Sequence, residues 1–170
     1  MNKTRKYILV TMLAALAVVL NVVENLMIPP LAFGIRFGIA NIISLLAIKL
    51  FGKKELLFIV VLRIVIANLI KGTIFGTSFW ISTSGVIIST IIIIILDSIK
   101  ASLLFTSMLS ALGHSFGQLM AVVILYNQIN IFSLFPMLII VSIATGVLTG
   151  LLSNYAIKRI KTNQITNIGA

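Results

Sequence analysis

Apolar residues run along this chain in long blocks broken by short polar interruptions, and the blocks have helical lengths. Runs over 7–24, 38–51, 55–71, 79–97, 102–126 and 132–157 predict six helices. At a rise of roughly 1.5 Å per residue, most such runs come close to or exceed the roughly 30 Å hydrocarbon core of a bilayer. The second run is short, with Lys49 placed to snorkel at its end. The last is longer than a bilayer needs, so its C-terminal turns are expected to project into the cytoplasm. The expectation is an all-α integral membrane protein: one six-helix transmembrane domain over residues 1–170.

The interruptions carry their own signals. The connection over 25–37 is the longest of those expected outside, the others being 72–78 and 127–131. Its Pro29-Pro30 pair forbids helix and favours extended backbone. Such a loop either caps an outward-facing cavity or merely joins two helices. The first run has basic residues ahead of it but no persuasive small-x-small cleavage site before Glu24, and five more spans follow, so it reads as a retained helix rather than a signal peptide. Small residues at helical spacing form three stripes: Ser78, Ser82, Gly85 and Ser89; Gly113 and Gly117; Gly146 and Gly150. Their simplest use is close packing of helices within one protomer.

Composition fits the pattern. Hydrophobic residues make up 60% of the chain and charged residues 9%, and the mean hydropathy is +1.22. A soluble domain carries about a quarter charged residues. Cysteine is absent, and one histidine and three acids leave no basis for a metal centre or a bound cofactor. The net charge of +10 invites a nucleic-acid reading, but its placement argues for topology. Lys3, Arg5, Lys6, Lys49, Lys53, Lys54, Lys100, Lys158, Arg159 and Lys161 fall on alternate connections, as the positive-inside rule expects of cytoplasmic loops. Both termini are then cytoplasmic.

Against this background Arg63 stands out. It lies midway between Lys54 and Lys71 in an apolar stretch, a depth at which an arginine costs roughly 2.5 kcal/mol or more. It is either a structural arginine satisfied by backbone carbonyls or the anchor of a binding site, with no obvious carboxylate at its own depth. On the fifth helix Ser107, Ser110, His114 and Gln118 share a face, and His114 is either a ligand contact or a helix-to-helix hydrogen bond. Asn68 and Lys71 lie further out on the third helix, Arg36 and Asn41 at the outer end of the second, and Glu24 and Asn25 at the end of the first. A cavity so lined is electropositive and suits a phosphate or carboxylate. Phe33, Phe37, Phe75, Phe79 and Trp80 supply candidate walls, with Trp80 equally an interface anchor. The expected substrate-binding set is Arg36, Asn41, Arg63, Asn68, Lys71, Trp80, His114 and Gln118.

Absent motifs narrow the chemistry. There is no GxxxxGK[ST] phosphate loop, so ATP-driven work requires another subunit. One aspartate, Asp97, cannot supply the aspartate-rich magnesium site of a prenyl transferase. No catalytic residue is expected, and the chain does not read as an enzyme.

Several segments resemble a known family. They are Gly34-Ile35-Arg36-Phe37-Gly38-Ile39-Ala40-Asn41-Ile42, Leu62-Arg63-Ile64, Phe79 to Gly85 with its serines, Gly113-His114-Ser115-Phe116-Gly117-Gln118-Leu119, and Gly146-Val147-Leu148-Thr149-Gly150. In order and spacing, over about residues 10–160, they are similar to the Gx transporter family, also known as heptaprenyl diphosphate synthase component I. The resemblance implies a bundle like the S-components of energy-coupling factor (ECF) transporters: six-helix, multi-pass proteins of the bacterial plasma membrane that bind a vitamin or similar micronutrient from outside. It also implies a transmembrane coupling protein with two ATPase subunits as partners. Known S-components dock through an AxxxA pattern on the first helix. Here Thr11, Ala14, Ala15 and Ala17 stand there, with Thr11 and Ala15 the nearest equivalent. The family's other description implies a different role, as an accessory membrane protein of isoprenoid or quinone metabolism.

Overall fold

A computed structural model describes residues 3–27 and 40–166, and among them the regular structure is entirely helical. The helices are α1 (Lys3–Met27), α2 (Asn41–Leu50), α3 (Lys53–Ile70), α4 (Thr77–Ser98), α5 (Leu103–Tyr126) and α6 (Phe135–Thr166), with a 3-10 helix over Ile129–Leu134 before α6. Local chemistry fixes several ends. Gly52, at φ +104°, turns the chain from α2 into α3 in a conformation that side-chain-bearing residues avoid. Ser102 caps α5 by accepting a hydrogen bond from the Phe105 N–H at 3.2 Å. Asn127, in the left-handed region, closes α5, and Pro136 sits in the first turn of α6, where its missing N–H costs nothing.

Four segments are long and apolar enough to cross a membrane: Lys3–Leu26, Thr77–Ser98, Leu103–Tyr126 and Ile129–Ile160. The chain is therefore a multi-pass membrane protein by length and composition. The other two helices differ for identifiable reasons. The eighteen residues of α3 include Lys53, Lys54, Glu55 and Arg63. The ten of α2 reach only about 15 Å. That short helix is sheathed by protein: Ile43, Leu45, Leu46, Ala47 and Ile48 are buried with Val10, Ala14 and Ala17 of α1, Leu56, Ile59 and Val60 of α3, Val86 and Ile93 of α4, and Ile157 of α6.

Glycine sets the contacts of α5. A Cβ on Gly117 would meet the Ser84 carbonyl at 2.7 Å and the Gly85 Cα at 3.0 Å. One on Gly146 would meet the Met108 Cα at 2.7 Å, and one on Gly150 the Ser107 Cβ at 2.9 Å. The expected stripes thus serve packing inside the protomer. Hydroxyls add cross-links: Ser107 donates to the Gly146 carbonyl at 2.7 Å, and Ser115 meets Ser142 at 2.6 Å.

Ion pairs gather one end of the bundle. Lys6 of α1 pairs with Glu55 at the start of α3. Lys49 at the end of α2 reaches Asp97 at the end of α4 at 2.7 Å, and Lys53 donates to Ser98 at 2.8 Å. Ile157, late in α6, shares a core cluster with Val10, Ile48 and Leu56. The start of α1 and the later turns of α6 therefore lie toward this basic end.

Candidate functional site

Away from the basic end, five helices converge on one cavity. It is lined by Asn21 and Glu24 of α1, Ala40 and Asn41 around the start of α2, Arg63 of α3, Ser82 and Val86 of α4, and His114 and Gln118 of α5. The enclosed space is about 20 Å³, room for about one water molecule. Anything larger enters only if a wall moves.

Arg63 is 2% exposed. Its Nη1 donates to the Ala40 carbonyl at 2.9 Å, tying α3 to the N-terminus of α2. Its Nε has no hydrogen-bond partner among the described residues. Glu24, 6% exposed, faces the same cavity. The sequence offers Arg63 no obvious carboxylate at its own depth. Convergence of α1 with α3 brings Glu24 into the same cavity, and the described part of that cavity is close to charge-balanced rather than electropositive.

His114 and Gln118 stand one turn apart on α5, with Gln118 Nε2 3.1 Å from His114 Nε2. Gly85 makes room for both: a Cβ there would lie 2.7 Å from Gln118 Cγ and 2.8 Å from the His114 carbonyl. Asn41 is held between helices, its Nδ2 donating to Ser89 at 2.9 Å and to Ser110 at 3.3 Å, while Ser89 donates back to its Oδ1 at 3.2 Å. That exchange pins the α2 wall against α4 and α5. Of the polar face predicted on α5, only His114 and Gln118 reach the cavity; Ser107 and Ser110 are spent on packing.

Other predicted residues lie elsewhere. Asn68 is buried but outside the lining: its Nδ2 donates to the Ile64 carbonyl at 2.8 Å, and it accepts from Thr73 at 3.0 Å. It closes the end of α3, a job its polarity alone did not distinguish from ligand binding. Lys71 also misses the lining, but its Nζ donates to Asn21 Oδ1 at 3.2 Å and so positions a lining residue. Trp80 is 50% exposed and packs edge-on against Phe79 at 5.3 Å; it fits the interface-anchor role and is not a wall. Arg36, with Phe33 and Phe37, lies outside the described residues. On α1, Thr11 and Ala15 are exposed, whereas Ala14 is packed into the core and belongs to no docking face with them. No group of three or more His, Cys, Asp or Glu side chains able to hold a metal occurs among the described residues.

The expected substrate-binding set did not contain Asn21, Glu24, Ser82 or Val86, although Glu24 was counted among the polar groups around the cavity. Glu24 carried a signal, being a lone acid near the end of an apolar helix. Ser82 was visible only as part of a small-residue stripe.

Comparison with known proteins places this architecture. Neither the curated proteins nor the solved structures yield a match. A family model does match, over residues 13–156, nearly the whole helical bundle. The chain belongs to the heptaprenyl diphosphate synthase component I family.

Proposed function

We propose that this protein is the substrate-binding membrane subunit of an energy-coupling factor importer in a bacterial cell membrane. In this reading it crosses the bilayer six times with both termini in the cytoplasm. The cavity takes a small polar micronutrient or precursor from outside. An anionic group of the ligand meets Arg63, while His114 and Gln118 read its hydrogen-bonding edge. Glu24 adds a place for a cationic or N–H group, so the ligand need not be purely anionic.

One observation carries the reading. Glu24, Arg63, His114 and Gln118, from three helices, converge on a single cavity, while the other buried polar residues among those described are Ser, Thr and Asn. Ionisable groups in a membrane interior are costly and by default mark a pathway or a site. Transport is driven from outside the chain, by a coupling protein and two ATPases. Thr11 and Ala15, exposed on α1, offer the small-residue face on which such a partner would dock. The chain itself performs no catalysis in this account.

The family's description favours a second reading, an accessory membrane protein of isoprenoid or quinone metabolism. Gentle purification from native membranes, followed by mass spectrometry of the intact complex, separates the two. Copurifying ATPases and a retained polar small molecule support the importer. A copurifying prenyl synthase subunit, without ATPases, supports the accessory role.

A further inference from the structure

A cavity larger than the candidate site lies away from it. At the basic end a groove of about 240 Å³ runs between α1 and α3, lined by Lys6, Tyr7, Val10, Thr11, Lys54, Glu55 and Phe58. Its two ends differ in chemistry. Lys6 and Lys54 stand at one end, and Lys3 precedes Tyr7 by one helical turn on the same face. Val10, Thr11 and Phe58 continue the groove toward the middle of the bundle. Glu55 is engaged by Lys6, which leaves the positive charge of Lys54 and Lys3 in excess there.

We propose that this groove is a binding site for one anionic glycerophospholipid. The phosphate of the headgroup sits among Lys54, Lys6 and Lys3, and an acyl chain lies along Val10, Thr11 and Phe58. Charge complementarity selects this occupant. A neutral partner helix would fill the apolar part but leave the lysines unanswered. A free phosphate would satisfy the lysines but leave the apolar part empty. The groove opens on the outer surface of two helices, where a lipid can enter sideways. This site uses none of the inner cavity's lining residues, although it shares Thr11 with the face proposed for the coupling partner.

Intact-mass titration of the detergent-purified protein tests it, with phosphatidylglycerol and phosphatidylcholine of identical chains. Phosphatidylglycerol should be retained at least about fivefold more strongly, the scale of one basic residue near a charged lipid surface. Lys54→Gln should remove most of that preference. Lys100→Gln, which alters an exposed lysine outside the groove lining, should leave it unchanged. Equal retention of the two lipids, or equal losses in both variants, would overturn the proposal. A photoreactive residue at Thr11 in phosphatidylglycerol vesicles should yield a lipid adduct. An adduct to protein, or none, counts against a lipid occupant, as does displacement of the lipid by excess inorganic phosphate.

Discussion

Between α4, α5 and α6 the backbones meet at glycine; on the α1–α3 side apolar packing of Val10, Ala14, Leu56 and Ile59 is joined by polar and charged contacts and leaves an open groove. Gly85 and Gly117 bring α4 onto α5, and Gly146 and Gly150 bring α6 onto α5, with no room for a methyl group, while Gly113 faces the flexible end of Ile92. The α1–α3 side has the Lys6–Glu55 pair at one end, the Lys71–Asn21 bond further along and an open groove. The candidate cavity lies where the two kinds of packing meet. His114 and Gln118 come from the glycine-locked side, Glu24 and Arg63 from the other. The glycine-packed half thus presents hydrogen-bonding groups, and the half with the open groove presents charge.

The largest effect should come from breaking the glycine-packed half. Gly117→Val places atoms against backbone at 2.7 and 3.0 Å, which no rotamer change relieves. Thermal denaturation in detergent should show a loss of about 3 kcal/mol, the upper range for overpacking. A smaller loss than for Ala15→Val, on the exposed face of α1, would mean the contrast is not real.

The next effect sharpens the charged half. Arg63→Met removes a charged hydrogen bond and the positive charge that shares the cavity with Glu24, so it should cost about 1.5–3 kcal/mol of stability. Adding Glu24→Gln should recover part of that loss, because the second variant removes the charge left behind. If the double variant is less stable than Arg63→Met alone, the two groups do not act as a pair.

Many of the elements were legible before the structure, and the reasons are local. Spans expected at 55–71, 79–97 and 102–126 became Lys53–Ile70, Thr77–Ser98 and Leu103–Tyr126, because apolar blocks and turn residues mark such boundaries. The start of α1 was missed. Lys3, Arg5 and Lys6 were assigned to water on charge, yet they remain helical, with Lys6 held by Glu55. In the site, Arg63, His114, Gln118 and Asn41 were found because polar residues are rare in these blocks. The same signal included Asn68, which lies outside the cavity lining and is bonded within its own turn. Sequence polarity does not show which side chains are already bonded nearby. Nor did it show Glu24 opposite Arg63, since that depends on how α1 leans on α3.

Smaller effects probe the faces that meet lipid or a partner. Ala15→Trp should change stability by less than about 0.5 kcal/mol, the range for surface changes, while blocking copurification of a coupling protein. Normal stoichiometry in that variant would place docking elsewhere. Trp80→Phe should be quieter still, with ligand retention unchanged; a binding defect would return Trp80 to the site. For topology, cysteines at Gly76 and Asn127 should label from outside intact cells and one at Lys53 only after permeabilisation. Outside labelling at Lys53 would break the six-span arrangement.

Ligand retention in the Arg63 and Glu24 variants tests the central claim most directly. Intact-mass spectrometry of gently purified wild-type protein should show a bound small polar molecule. Arg63→Met should weaken its retention by about 2–5 kcal/mol, the range for truncating one side of a buried charge contact. The Arg63→Met, Glu24→Gln double variant should stay empty even as its stability recovers. Wild-type protein without the molecule, or a stable double variant that retains it as well as wild type does, would contradict the account and leave Arg63 as a brace between α3 and α2.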